Sequence, residues 1–497
     1  MRAGFALLPA VAMFAVLGVA CSSSPSDAPS PAAATPTVVA AQSSTEPGSA
    51  PASAVPLWTE AQVAAALVRL GEFDFDARDS ILEYATATKD RRMIAPLIGL
   101  LRFWAPNEVY QQIDHALLNI TGQSHDGEWI AWVEWMGRQD DVPIVQSFAR
   151  WKGEILASRV DRGFLRFLDG TQPTKLRVEL IQWGGVRVDG IPALNNPRFV
   201  SAEEADYLTP GEPVFGIVIN GDVRAYPLRI LDWHELANDV VGGVAVSLAY
   251  CTLCGAGVLY ETATEDWTFT FGSSGLLYES NKLMYDRQTD TLWNQLTGEP
   301  VHGALAFAGI ELKRRPIVVT DWADWLAEHP ETKVLDIATG YVRDYTPGEP
   351  YGNYFASEET MFPAYQRSQA LPAKAWIYAL LVDGTPKAYP LAALQQEVVA
   401  NDTLAGQPVV LVANPDSRAV RAYERGGFEF SKAGAVAPLL DGAGRAWTVT
   451  EDALLGPEGE TLARLPGHLA YWFGWFAFYP RTQIYGDGSG AAGGSGS

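Results

Sequence analysis

An internal duplication limits the possible folds more than any other feature of this sequence. Read at a constant offset of 163 residues, Val214 to Glu261 aligns with Ile377 to Glu424 without a gap. The first copy runs Asn220-Gly221, then Arg224-Ala225-Tyr226-Pro227-Leu228, and the second runs Asp383-Gly384, then Lys387-Ala388-Tyr389-Pro390-Leu391. Asn-Gly and Asp-Gly between apolar runs supply the two successive positive-φ residues that a type I′ turn demands, so each copy should begin as a β-hairpin. A helical stretch is expected next, ending at Asn238-Asp239 and Asn401-Asp402, followed by strands over 244–250 and 407–413. The copies also close alike at an offset of 150, where Pro316, Trp322, Trp325, Pro330 and Thr332 answer Pro466, Trp472, Trp475, Pro480 and Thr482. The expected fold class is α+β: an internally duplicated, β-rich body of two hairpin-helix-strand repeats over 166–335 and 336–486.

An all-α segment precedes this body. Over 58–165 apolar residues recur at helical spacing, as in Ile94, Leu97, Ile98, Leu100 and Leu101, and again in Val109, Ile113, Leu117 and Leu118. The stretch resembles HEAT-like repeats, whose antiparallel helix pairs could hold a protein partner. Trp129, Trp132 and Trp135 share one helix face, which reads as core packing rather than a ligand platform. Upstream, Met1-Arg2 and the apolar run Phe5 to Ala20 form an export signal over 1–21. It ends Ala20-Cys21-Ser22, the pattern of a lipoprotein cleavage site. Cys21 is therefore expected to carry lipid and tether the protein to a membrane, outside the cytoplasm. Residues 22–57 are Ser, Pro, Ala and Thr with few large apolar side chains and read as a linker, and 487–497 as a flexible Gly/Ser tail. With 36 Lys+Arg against 58 Asp+Glu, the chain carries a formal charge of −22, which phosphate backbones repel. Nucleic acid is excluded as a partner on that ground.

Differences between the copies point to chemistry, because a position needed only for folding should tolerate one residue type in both. His234 faces Glu397, Cys251 faces Asn414, Cys254 faces Ser417, and His468 faces Val318. With Cys21 lipidated, Cys251 and Cys254 are the only thiols left, in Tyr250-Cys251-Thr252-Leu253-Cys254-Gly255. A thioredoxin-like pair would open a helix, where the dipole lowers the thiol pKa. Here Gly255, Gly257 and Val258-Leu259-Tyr260 follow, which reads as strand-turn-strand and resembles a metal knuckle. Two thiolates make half of a tetrahedral set. His234 and His468 are the candidate completing ligands, with Met284 as a thioether; sulfur plus imidazole suits zinc or copper, and a thioether favours copper. Glu235, Tyr250, Asp286 and Arg287 are the candidate residues for orienting these groups. His234-Glu235-Leu236-Ala237-Asn238 lacks the second histidine of a zinc-protease motif, and neither a phosphate loop nor a nucleophile elbow occurs.

Residues from about 170 to 485 resemble the domain of unknown function 3179 family of exported bacterial and archaeal proteins. The resemblance rests on Trp233-His234-Glu235 with Asn238-Asp239, on Tyr250-Cys251 with Leu253-Cys254-Gly255, and on Gly275-Leu276-Leu277-Tyr278. It also rests on Leu283 to Thr289 with Leu292-Trp293, and on His468 with Trp472-Phe473, Trp475 and Ala477 to Pro480. Thr252 stands where the family usually has proline. The family name implies no activity, so three readings stand on the residues. The first is an exported, lipid-anchored protein with one copper or zinc site built from the two cysteines and histidine. The second is a thiol-disulfide oxidoreductase needing no metal. The third is a binding module in which the pair forms a structural disulfide. Substrate and reaction stay open.

Overall fold

The chain is described by a computed structural model over residues 55–103, 107–433 and 439–486. The export signal, Cys21 with its expected lipid, nearly all of the linker and the Gly/Ser tail lie outside the described residues.

Helices occupy Glu60–Gly71, Phe75–Thr88, Ile94–Leu101, Asn107–Thr121, Trp129–Gly137 and Phe148–Arg159. Their starts are written locally. Thr59 and Gln62 form a capping box, and the Asp74 carboxylate accepts the Ala77 N–H at 2.9 Å, so each supplies partners for amides that a first turn leaves free. Ile94, Leu97, Ile98, Leu100 and Leu101 are buried together with Ile113 and Leu117, although Leu118 faces outward. Trp129 and Trp132 are buried and the Trp132 Nε1–H donates to Asp114 at 2.7 Å, so this stripe is packing. Among the described residues no helix is long and apolar enough to cross a membrane.

The duplication is visible strand by strand. Pro213–Ile219 and Asp222–Pro227 form an antiparallel hairpin, as do Trp376–Val382 and Thr385–Pro390. The helices Leu228–His234 and Leu391–Glu397 follow, then Leu236–Val241 and Val399–Leu404. The expected helix ends are corrected here. Each helix stops four residues before its Asn-Asp pair, because Glu235 (φ 55°) and Val398 (φ 68°) turn the backbone left-handed and return the chain as a strand. The Asn-Asp pairs work inside those strands. Asn238 exchanges two hydrogen bonds with the Phe271 backbone (2.9 and 3.0 Å) and Asn401 does the same with Phe430 (2.7 and 2.9 Å). Tyr226 donates to Asp239 and Tyr389 to Asp402. At the closing ends, Trp325 donates to Thr332 and Trp475 to Thr482, both at 2.9 Å.

The first copy folds into three five-stranded sheets, the second into a four-stranded and an eight-stranded one. The class is α+β, with the β-rich body following the helices. Ahead of the second hairpin, residues 336–374 connect it to the first copy and carry the short helix Gly352–Ala356. This connection lies against the end of the strand Val244–Cys251, where Tyr354 donates its hydroxyl to the Leu253 carbonyl at 2.6 Å.

Candidate functional site

Cys251 ends one strand and Ala256–Glu261 begins the next, with Cys251 paired opposite Ala256. Between them Thr252–Cys254 makes a single 3₁₀ turn, and Gly255 closes it at φ 59°. The strand-turn-strand expectation therefore holds. Both cysteines are unbridged and nearly inaccessible, at 1% and 0% exposure. The Cys254 thiol donates to the Ser280 carbonyl at 3.6 Å. The Asn281 amide donates to Cys254 Sγ at 3.4 Å and to Gln295 Oε1 at 2.9 Å, while Gln295 Nε2 donates to the carbonyls of Ala249 and Ala256 on the two flanking strands. Asn281 and Gln295 thus fix the hairpin that carries the thiols.

Beside the pair sits a buried lysine. Lys282 Nζ donates to the backbone carbonyls of Glu235 (3.0 Å) and Tyr250 (2.9 Å) and lies 3.4 Å from the Glu235 carboxylate. Glu235 also accepts the hydroxyls of Thr252 (3.2 Å) and Tyr351 (3.3 Å). Burial and these charges set the protonation order. For Cys251, burial and the Glu235 charge push the thiol pKa up. The neighbouring Cys254 side chain, the Lys282 backbone N–H and the Lys282 ammonium outweigh them, leaving Cys251 below the ordinary thiol value. Burial first, then the neighbouring Cys251, hold Cys254 well above it. Burial also draws Lys282 below the usual lysine value, against the pull of Glu235 and the two sulfurs. The two thiols are shifted in opposite directions, Cys251 downward and Cys254 upward.

Of the residues singled out from sequence, the structure brings together Cys251, Cys254, Glu235 and Tyr250. It does not bring either histidine to the thiols. The Pro192 carbonyl can only accept, so His234 Nδ1 donates to it (2.7 Å) and Nε2 accepts the Tyr345 hydroxyl (2.7 Å). The left-handed step at Glu235 explains this: it presents residue 235 to the thiols and leaves 234 on the helix. His468 Nδ1 donates to the Leu469 carbonyl at 3.0 Å, and its ring meets the Trp475 ring edge-on. Burial, mainly, pulls both imidazoles down to about 4. Met284 is fully buried in the strand Asn281–Asp286, paired with Trp293 and Ser273. Asp286 accepts Trp293 Nε1 at 2.8 Å and Arg287 pairs with Asp189 at 2.9 Å, which makes both of them braces for the sheet. No motif singles out Lys282, which stands in sequence only as the charge directly before the apolar run Leu283-Met284-Tyr285.

The only group of three potential metal-ligating side chains of His, Cys, Asp or Glu type with ligand atoms within 4.8 Å, among the described residues, is Glu328, His329 and Glu451. Its carboxylates are already neutralised. Arg421 pairs with Glu328 (2.5 Å) and Glu451 (2.6 Å), and Arg464 also binds Glu451. A cation there would meet two guanidinium groups. No curated protein and no solved structure matches the chain. The family model described as Protein of unknown function (DUF3179) matches residues 188–482, a span that takes in both copies, the thiol pair, Glu235 and Lys282. With more than half of its length inside that match, the chain belongs to the DUF3179 family.

Proposed function

We propose that this protein is a thiol-disulfide redox protein in which Cys251 attacks and Cys254 resolves. The observation that carries the reading is the placement of two unbridged thiols at the two ends of one turn, Cys251 to Cys254, beside the buried Lys282. The Cys251 thiolate attacks one sulfur of a disulfide RS–SR, forming a mixed disulfide and releasing RS⁻. Cys254 then gives up its proton and attacks the Cys251 sulfur. That forms the Cys251–Cys254 disulfide and releases the second RS⁻, so two electrons have passed to the substrate. The reverse sequence oxidises a dithiol. Lys282 lowers the charge penalty of the attacking thiolate, and Glu235 holds Lys282 in place.

The N-terminal segment supports a location outside the cytoplasm, with lipid on Cys21 as the tether. A copper or zinc site on the same pair needs two further ligands. Groups beside the sulfurs include the Asn281 amide, the Ser280 carbonyl and the Lys282 ammonium, which are poor ones. In the test, Cys254→Ser and Cys251→Ser proteins are mixed with a small disulfide and read by intact mass. Cys254→Ser is expected to retain a mixed disulfide that Cys251→Ser does not form, and the parent protein to end two hydrogens lighter. Adducts in neither variant, with the parent mass unchanged, would overturn the reading.

A further inference from the structure

The second copy has a loop of its own at the position of the cysteine motif. Asn414 stands at the place of Cys251, Ser417 at that of Cys254 and Arg418 at that of Gly255. Each loop packs on the closing helix of the other copy. A Cβ on Gly474, in the helix Trp472–Phe476, would come 2.9 Å from the Cβ of Cys254, and the Asn414 amide donates to Asp324, in the helix Trp322–Glu328, at 3.1 Å. Gly474 and Asp324 are themselves equivalent at the 150-residue offset. The copies are thus crossed, and the second copy's loop is carried to the rim of the first copy's thiol site.

Arg418 is the residue that this crossing delivers. Its guanidinium lies 5.2 Å from the centroid of the Trp376 ring, which packs against the Tyr471 ring at 4.3 Å. The two rings close over the end of the cysteine turn, since a Cβ on Gly255 would come 2.7 Å from Trp376 and 3.2 Å from Tyr471. The charge of Arg418 reaches Asp232, Tyr250 and Tyr471, and the last two also feel the thiols. Yet among the described residues this half-buried cation makes no ion pair within 4.0 Å and no hydrogen bond. Arg224, Arg229, Arg421 and Arg464 in the same body all pair with carboxylates. The carboxyls whose fields do reach it are Asp232 and Asp321. Asp232 is buried with Oδ1 lacking a hydrogen-bond partner, burial first and then Glu235 raise it to about 8, and neither it nor Asp321 comes within 4.0 Å of the Arg418 guanidinium.

An unpaired guanidinium on an aromatic plate suits an anion attached to an apolar group. We propose that Arg418 and Trp376 form the substrate subsite of the thiol pair, and that the substrate is a small disulfide bearing a carboxylate. This rests on the thiol-disulfide reading above, and the bond changes are those given there, with the carboxylate-bearing disulfide as RS–SR. The enclosure of the site favours a small molecule: the sulfurs are buried, and Tyr351 and Tyr354, which bond to Glu235 and to the Leu253 carbonyl, lie within their field.

The test compares two probe disulfides on the full chain at neutral pH, the dianionic dithiobis(nitrobenzoate) and the neutral dithiodipyridine. The readout is the ratio of their rates of reaction. Arg418→Glu is expected to lower the anionic-to-neutral ratio about tenfold, and Arg418→Lys to keep most of it. A ratio identical in the parent and Arg418→Glu proteins, with both reactions lost in Cys251→Ser, overturns the subsite alone. Reaction of neither probe at Cys251 removes the thiol reading and the subsite with it.

Discussion

Lys282 is held by two carbonyls and a carboxylate in a place where water would otherwise solvate it, so its protonation state and that of Cys251 depend on each other. Replacing it with methionine keeps the volume and removes the charge. In Lys282→Met the Glu235 charge acts on Cys251 unopposed, and the thiol pKa rises. The sign is definite: a thiolate that the parent protein forms below the ordinary thiol value appears in the variant only at higher pH. Alkylation of Cys251 followed by mass across pH should show the midpoint moving up by about one unit and the neutral-pH rate falling about tenfold. A purely structural lysine would lower the melting temperature and leave that midpoint in place. At this scale the sequence pointed to the thiols and to Glu235 and Tyr250, because they are consecutive with motifs. It could not point to Lys282, whose 31-residue separation from Cys251 is closed only by sheet packing.

The element that matters most is the turn Cys251 to Gly255. Its strand-turn-strand shape was legible because Gly255, Gly257 and the following β-branched and aromatic residues disfavour a helix. The reason for a glycine at 255 has two parts, a left-handed φ of 59° and the pressure of Trp376 and Tyr471 from the other copy. Gly255→Ala should therefore destabilise the protein by about 2–4 kcal/mol, combining overpacking with backbone strain, read as a lower urea midpoint at an unchanged slope. The helix ends were misplaced at this same scale. Nothing in Trp233 to Asp239 announces a non-glycine residue in the left-handed region, and the step at Glu235 is stabilised by partners far away in sequence, Lys282 and Tyr351. That step also decides which residue meets the thiols, placing Glu235 beside Lys282 and leaving His234 bonded to Pro192 and Tyr345.

Across the whole molecule, the helical segment holds the connection that covers the thiols. Glu134 accepts the Ala364 N–H at 3.1 Å and pairs with Arg367 at 2.5 Å, and Glu279 accepts the Tyr365 N–H at 2.9 Å. Removing the first anchor should let residues 362–367 open more often. In Glu134→Ala the native-state labelling rate of Cys251 is expected to rise about fivefold, corresponding to about 1 kcal/mol of local stability, with the global urea midpoint little changed. Sequence alone determined the duplication, the hairpins, the helical segment and the thiol motif. Each of these is written in neighbouring residues as turn chemistry, apolar period or fixed spacing, and local sterics act on neighbours. Only the tertiary structure decided that the copies cross, that Lys282 lies beside the thiols and Arg418 against Trp376, and that His234 and His468 bond elsewhere. Those facts depend on long-range packing and on where buried charges find partners, which no local pattern encodes.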